Sequence, residues 1–451
     1  MSNNDNKPGM VYRFFKTYLR FLHDKVYYKK TYTINNEIIP ADGNPLLIVS
    51  NHQNCLNDPL GILFSFRDRK ANFITRADVF AMSPLANKFL RAIGLLPAFR
   101  LDYEGEKALQ QNEGTFKASE EALINGKTVI MFPEAGHQDK RWLGNFSFGY
   151  TKLAFEAAEI GGFEKDVQIL PSCNHYSDYF GMQRQFLVKF GQPISLMPYY
   201  ELYKTKPRTA QRTVNALVRK QIEELMLNIT DLDNYEAIDY IRLTYGKKFA
   251  KENNCNPSHL PSRLLSDKNL VARLDEAKAG NAEEVEQIYK RMLTVKSGCK
   301  RMGITHRQLG EKPSVASLIL RILMLVVLLP LWITSLWPSL LCYLVPMGIF
   351  WKKVKDPMFE GTFLYALNAL FLIPLMSIIT IICYLGTCWW AGLIHVALFP
   401  ALMLFAWYYK EWSMETLRDV ISLNKKKEVA LLRKMKDAAY EKLDKILTRK
   451  Q

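Results

Sequence analysis

Two short polar segments carry the residues best suited to chemistry. Asn51-His52-Gln53-Asn54-Cys55-Leu56-Asn57-Asp58-Pro59 follows the apolar run 46–49, and Phe132-Pro133-Glu134-Ala135-Gly136 follows the apolar run 128–131. Each sets polar side chains where a buried strand passes into a loop, which is where open α/β sheets build their sites. Histidine titrates near neutral pH and suits the removal of a proton from an incoming hydroxyl. A carboxylate bonded to its far ring nitrogen would hold the tautomer and stabilise the cation as it forms. Asp58 is the candidate for that role, because an asparagine at 57 offers no negative charge. Plainer readings stand beside these. A lone histidine is most often structural, and Asp58-Pro59 ahead of Leu60-Gly61-Ile62-Leu63 has the form of a helix start. In that form Asp is the N-cap and Pro the first helical residue, and a capping carboxylate can still reach His52.

The elements that must position these residues alternate. Strand signals fall at 46–49, 72–75, 128–132, 167–170 and 185–190, with helical stretches between them. One of these helices, over 113–124, is stopped by Asn125-Gly126. Such alternation argues for an α/β layer structure. From Tyr199 to about Arg307 strand signals nearly vanish, and 210–229, 235–252 and 283–296 read as helices with apolar residues three and four apart. At the N-terminus, 10–30 reads as a basic, aromatic-rich amphipathic helix able to lie in a membrane interface or to pack on a core. The polar stretch 1–9 does not read as a signal peptide.

The chain has 451 residues, 49% of them hydrophobic, and a formal net charge of +16. The length implies more than one unit, and the composition is not that of a disordered chain. A basic balance points to nucleic acid or to an anionic membrane surface. The distribution of apolar residues decides for the membrane. No charged residue occurs in the 30 residues 322–351 or in the 49 residues 361–409. The second run accommodates two spans of about twenty residues each. The first, interrupted by Pro330, Pro338 and Pro346, fits two short tilted helices or a re-entrant hairpin. Lys300, Arg301, Arg307 and Lys312 precede the first run, and Lys352, Lys353 and Lys355 separate the two. Ten Lys and Arg against four Asp and Glu follow from Asn424 to the end. That asymmetry predicts an integral membrane protein with its soluble domain and both termini in the cytoplasm. The seven cysteines show no paired spacing, so neither a zinc site nor a disulfide framework is indicated. A metal set of His137, Asp139 and His175 has no supporting spacing. No module that stacks nucleotides is recognisable, so nucleic acid is not an expected partner.

Taken together, the His52–Asp58 and Phe132–Gly136 segments resemble the glycerol-phosphate acyltransferase family. The spacing from His to Asp is one residue longer than is common there, with Asn57 at the usual position. This resembles the glycerol-3-phosphate and dihydroxyacetone-phosphate acyltransferase subgroup. Gly94-Leu95-Leu96-Pro97-Ala98-Phe99-Arg100 resembles the family's second block, which implies that Arg100 binds the acceptor's phosphate. Phe132-Pro133-Glu134-Ala135-Gly136 matches the third block, although the family usually has Gly where Ala135 stands. The resemblance carries acceptor binding to Glu134 and Gly136, with Lys140 or Arg141 supplying charge, since Ser147 stands where the family commonly has Lys. Ile169-Leu170-Pro171-Ser172 resembles the fourth block. The resemblance covers about 40–195. It implies an α/β acyltransferase domain with a mixed sheet flanked by helices.

The expected layout is a basic helical segment at 1–34, the acyltransferase domain at 35–198 and a helical extension at 199–312. A transmembrane region follows at 313–412, with about four spans or a re-entrant hairpin plus two. A basic amphipathic tail at 413–451 completes the chain. The implied activity moves a fatty acyl chain from acyl-CoA or acyl carrier protein to sn-glycerol-3-phosphate or dihydroxyacetone phosphate, in phospholipid synthesis. No metal or other cofactor is implied. The expected partners are the thioester donor, a phosphorylated glycerol-type acceptor, acyl carrier protein as one of the two carriers, and membrane lipids. The same motifs suit 1-acyl-sn-glycerol-3-phosphate as acceptor, or transacylation between phospholipids. A catalytically silent lipid-binding membrane protein is the rival from another class.

Overall fold

The apolar runs at 46–49 and 128–131 lie side by side as parallel strands, with Leu46 to Val49 paired in register to Thr128 to Met131. The computed structural model describes residues 9–66, 69–76, 94–98, 106–134, 136, 140–310, 314–353 and 356–448. In chain order the first unit contains helix α1 (Met10–Phe21), strands β1 (Tyr28–Ile34) and β2 (Leu46–Ser50), and helix α2 (Asn57–Ser65). Strands β3 (Ala71–Arg76) and β4 (Leu95–Ala98), helix α3 (Glu106–Ile124) and strand β5 (Thr128–Met131) follow. Helix α4 (Gly149–Ile160), strands β6 (Gln168–Tyr176), β7 (Arg184–Phe190) and β8 (Ile194–Ser195), and helix α5 (Pro207–Leu225) complete it.

The sheet runs in the order β1-β7-β6-β2-β5-β3-β4, with β8 beside β6. Strands β6, β2, β5, β3 and β4 are mutually parallel. Strand β7 is antiparallel to β6, and β1 is parallel to β7, so the sheet is mixed. Its parallel strands are near-continuous apolar runs because both faces are covered. Leu47, Val49, Val129 and Ile169 pack on one side against Leu153, Phe155 and Ala157 of α4 and Val214, Val218 and Ile222 of α5. Helix α5, which the sequence groups with the extension, therefore belongs to the core beneath the sheet. Helix α3 ends as expected at Asn125-Gly126. Gly126 has φ +75°, and a Cβ there would lie 2.1 Å from the Gly43 carbonyl oxygen.

Three readings of the sequence are corrected in this unit. The basic helix expected over 10–30 gives way at Tyr27, and Tyr28–Ile34 is strand β1. Its lysines masked the alternation of Tyr and Thr, and an edge strand tolerates them. Strand β6 runs to Tyr176 instead of stopping at Leu170. Pro171 reads as a breaker, yet it sits within the parallel pair with Val49. Helix α3 begins at Glu106, before the expected start at 113.

By its contacts the chain forms two units: Met1–Leu227 with Phe350–Ala369, and Asn228–Ile349 with Leu370–Gln451. The second is helical. Outside its long apolar helices it contains α6 (Tyr235–Thr244), α7 (Leu260–Gly280) and α8 (Ala282–Met302), joined by the C-terminal helix Lys426–Thr448. The helix expected over 235–252 breaks at Tyr245, and 246–252 is a separate short helix. Leu270, Leu274, Val285, Ile288, Met292, Leu432 and Leu443 are buried. Asp267 is buried between Arg242 and Arg263.

Among the described residues, three helices are long and apolar enough to cross a membrane: Val315–Ser339, Pro357–Leu385 and Trp389–Asn424. The first belongs to one helix, Val315–Lys353, with Pro330, Pro338 and Pro346 inside it. The expected pair of short helices or hairpin is thus a single element. Prolines persist in such helices because the backbone groups they free find other partners.

Candidate active site

Strands β2, β5 and β6 are parallel, so their carboxyl ends open on the same edge of the sheet, and each contributes to one cluster. At the end of β2, Asn51 pins the chain to β6. Its Oδ1 accepts the Asn174 N–H at 2.7 Å, and its Nδ2 donates to the Asn174 carbonyl at 3.1 Å. The next residue is His52. Its imidazole stacks on Phe132 at the end of β5, with ring centroids 4.4 Å apart and planes 24° apart.

Asp58 lies fully buried 2.8 Å from His52 Nδ1 through Oδ2, whereas the His52 ring retains 20% exposure. The same Oδ2 accepts the N–H groups of Gln53 at 2.6 Å and Asn54 at 2.7 Å. Asp58 is therefore not the helix cap that its neighbour Pro59 suggests. Helix α2 begins at Asn57, and the carboxylate reaches back to gather the loop that leads from His52. Within that loop Cys55 takes the left-handed conformation, φ +39°, a local strain of the kind that clusters at functional sites. With Nδ1 donating to a carboxylate, Nε2 is the basic nitrogen of the ring.

The other carboxylate oxygen, Oδ1, accepts a hydrogen bond from Tyr176 Oη at 2.5 Å. Tyr176 ends strand β6 and stacks on Phe186, with centroids 4.6 Å apart. Burial, with the charge of Asp58 beside it, holds its phenol well above its ordinary pKa, so it remains a donor. Sequence reasoning missed this residue. No local signal marks it: the parallel pairing of 46–50 with 168–172 carries the strand past Pro171 and brings Tyr176 to the end that bears His52.

Glu134 is buried, and both its oxygens are engaged by backbone. Oε1 accepts the His52 N–H at 2.8 Å, and Oε2 accepts the Gly144 N–H at 2.7 Å. Burial raises its carboxyl pKa, while these two N–H groups work in the opposite direction. The carboxylate thus joins the loop after β5 to the residue after β2. Arg219 supports the same segment from α5, donating to the carbonyls of Gly144 at 2.6 Å and Leu143 at 3.3 Å.

The remaining expected site residues divide. Gly136 is exposed, with open space where a Cβ would stand. Lys140 is half-buried, and its carbonyl accepts from Gln53 Nε2 at 3.3 Å. Arg141 is buried against Tyr179, and its Nη2 donates to the carbonyls of Tyr176 at 2.9 Å and Ser177 at 3.4 Å. The structure therefore brings His52, Asp58 and Glu134 together, and sets Arg141 behind them at the end of β6. Arg100 lies outside the described residues, as do Ala135, His137 and Asp139. Among the described residues no group of three His, Cys, Asp or Glu is placed to hold a metal ion.

This arrangement can take a proton at His52 Nε2 and stabilise the resulting cation through Asp58. Residues 30–174 match the model of the acyltransferase family, the stretch that holds His52, Asp58 and Glu134. Among solved structures, the chain is similar to the 1-acyl-sn-glycerophosphate (LPA) acyltransferase PlsC of Thermotoga maritima. The identity is 18% over 48% of this chain and 79% of that one, with a TM-score of 0.35. No curated protein matches the chain. The chain thus contains a mixed α/β sheet, the stretch 30–174 of which matches the acyltransferase model, and, among the described residues, three apolar helices long enough to cross a membrane.

Proposed function

We propose that the protein is a membrane-bound O-acyltransferase that moves a fatty acyl chain from an acyl thioester to sn-glycerol-3-phosphate or dihydroxyacetone phosphate. The observation that carries this is the His52–Asp58 pair. A histidine with partial exposure is backed at 2.8 Å by a fully buried carboxylate, at the end of a strand in a domain matched to the acyltransferase family.

In this reading His52 Nε2 takes the proton of the acceptor hydroxyl as its oxygen attacks the thioester carbonyl carbon. The new C–O bond forms, the C–S bond breaks, and the proton passes from the imidazolium to the departing thiolate. Asp58 stabilises the imidazolium, and Tyr176 holds Asp58. Glu134 fixes the backbone at His52 through its two N–H bonds. Arg100 and Lys140 supply positive charge to the acceptor's phosphate. The residues named need only proton transfer and stabilisation of the oxyanion for this reaction. The basic segments flanking the apolar helices orient the acyltransferase domain toward the cytoplasm, where acyl-CoA or acyl carrier protein would deliver the chain.

The test is an acyl-transfer assay on membranes holding the full chain or its His52→Ala variant. Acceptors are glycerol-3-phosphate, dihydroxyacetone phosphate and lysophosphatidate. Transfer to one of the first two, lost by about 10² to 10⁴ in the variant, is the expected result. Transfer to lysophosphatidate alone would replace the acceptor. Equal turnover by a folded His52→Ala protein would refute the mechanism.

A further inference from the structure

The second apolar helix starts at the catalytic loop. The turn Pro357–Phe359, introduced by Asp356, whose carboxylate accepts the Met358 N–H at 2.9 Å, leads into Glu360–Thr362. Residues Phe363–Leu372 then continue as a widened π-helix. Up to Ala369 this segment belongs to the same unit as the sheet, although some 300 residues separate the two in sequence.

Its contacts fall on the loop between His52 and Asp58. Thr362 Oγ1 accepts the N–H of Leu56 at 3.1 Å, and Leu56 is the residue that precedes the first turn of α2. Gly361 packs so closely that a Cβ would lie 2.7 Å from Tyr27 Oη, 2.8 Å from Asn57 Nδ2 and 2.9 Å from Asn54 Oδ1. A second line of contacts fixes the segment to the N-terminal helices. Tyr365 Oη donates to the Leu19 carbonyl at 2.7 Å, and Tyr18 Oη donates to the Ala369 carbonyl at 2.9 Å. The rings of Tyr27 and Tyr365 meet at 5.8 Å.

We propose that Gly361 and Thr362 are positioning residues of the acyl-transfer site, holding the Gln53–Asn57 loop so that Asp58 stays in register with His52. The inference rests on the acyltransferase reading above. The first half of the loop is held by Asp58 Oδ2, which accepts from His52, Gln53 and Asn54, and by the carbonyls of Lys140 and Tyr179, which accept from Gln53 Nε2 and Asn54 Nδ2. Past Asn54 the backbone passes through the left-handed Cys55 to Leu56, and there Thr362 takes over. Thr362 supplies a fixed acceptor just past the strained residue. Gly361 lets the helix backbone approach the two asparagines that line the loop. A rigid supporting shell of this kind sets how well a base and its orienting carboxylate stay aligned.

The test uses the full chain in membranes, with Thr362→Val, Thr362→Ser and Gly361→Val, and reads kcat, KM and amide exchange of the peptide containing Leu56. Thr362→Val preserves the shape and removes the acceptor. It should lower kcat about tenfold, with the KM for donor and acceptor changed less than about twofold, the signature of lost positioning rather than lost binding. Exchange at Leu56 should rise about fivefold, as expected for one lost hydrogen bond. Thr362→Ser should restore both readouts. Gly361→Val should lose more activity than Thr362→Val. Wild-type kcat and unchanged Leu56 exchange in Thr362→Val would overturn the proposal. An inactive wild type, or a His52→Ala variant as active as wild type, would instead overturn the acyltransferase reading. In that case Leu56 exchange in the Val and Ser variants still decides whether the helix anchors the loop.

Discussion

The Asp58→Asn substitution tests the site most sharply, because the carboxylate has four donors and no slack. Three of them, His52 Nδ1, Gln53 N and Asn54 N, converge on Oδ2 at 2.6 to 2.8 Å. An amide nitrogen at that position would face three donors. The side chain must therefore put its oxygen there and turn its NH2 toward Tyr176, whose hydroxyl can rotate to accept. The geometry survives and the charge is lost. Opposite charges about 4 Å apart near a protein surface interact by roughly 4 kcal/mol at an effective dielectric constant of 20. Asp58 is fully buried and His52 partly exposed, so a transition state with half to full imidazolium character loses about 2 to 4 kcal/mol. That is roughly a thirty- to a thousandfold drop in kcat. The assay is transfer of a labelled acyl chain on membranes, with the melting temperature recorded in parallel. A folded Asp58→Asn enzyme within about threefold of wild-type kcat would refute the claim that Asp58 stabilises the cation, since even the lower bound demands more.

Other substitutions probe the surrounding parts. Tyr176→Phe should cost about 1.5–3 kcal/mol of stability by leaving Asp58 Oδ1 without its donor, measured by chemical denaturation in detergent, while kcat falls less than in Asp58→Asn. Arg100→Ala should raise the KM for a phosphorylated acceptor roughly ten- to a hundredfold and leave the donor's KM nearly unchanged, read from paired saturation curves. Glu120 of α3 is pushed up to about 7 from its ordinary 4.5 by burial, reinforced by the hydrogen bond and charge of Glu156. The folded protein keeps that proton over a range where the unfolded chain has released it. Its contribution is therefore fully present below about pH 4.5 and is lost as pH rises through 7. Glu120→Gln should flatten the melting temperature between pH 5 and 8 and raise it at pH 8.

The core of the sheet and the meeting of His52 with Asp58 were legible in the sequence for a shared reason. Strands β2 and β5 are buried on both faces and read as unbroken apolar runs, and His52 and Asp58 occupy one short loop whose ends those runs fix. Features that depend on distant chain were not legible. Tyr176 reaches Asp58 only because β6 continues through a proline, which local preference scores as a stop. Strand β1 is held by pairing with β7, so its two lysines hid it. Gly361 and Thr362 gave no signal, because nothing in an apolar run marks which turn meets a loop 300 positions earlier. Glu134 was read as a substrate contact, and its two oxygens are occupied by the His52 and Gly144 amides, a partnership set by how β2 and β5 lie together. Arg100 remains a reading of the motif.

The way the chain closes on itself in the helical unit bears on how often it would cross a bilayer. Gln308, ahead of the first apolar helix, and Arg321, in its second turn, both bond Asp419, near the end of the third, at 3.0 and 2.7 Å. The Leu309 carbonyl accepts from Arg433 and Lys436 of the C-terminal helix at 3.2 and 2.9 Å, and Tyr245 of the extension donates to Asp444 at 2.7 Å. Groups bonded at 3 Å cannot stand on opposite sides of a hydrocarbon layer about 30 Å thick. In the membrane-bound protein proposed above, the chain would leave the bilayer on the side where it enters. A path that returns to its starting side makes an even number of complete passages, whereas three helices among the described residues are long enough to make one each. On that proposal one of the three would dip into the bilayer and return, or lie along its surface.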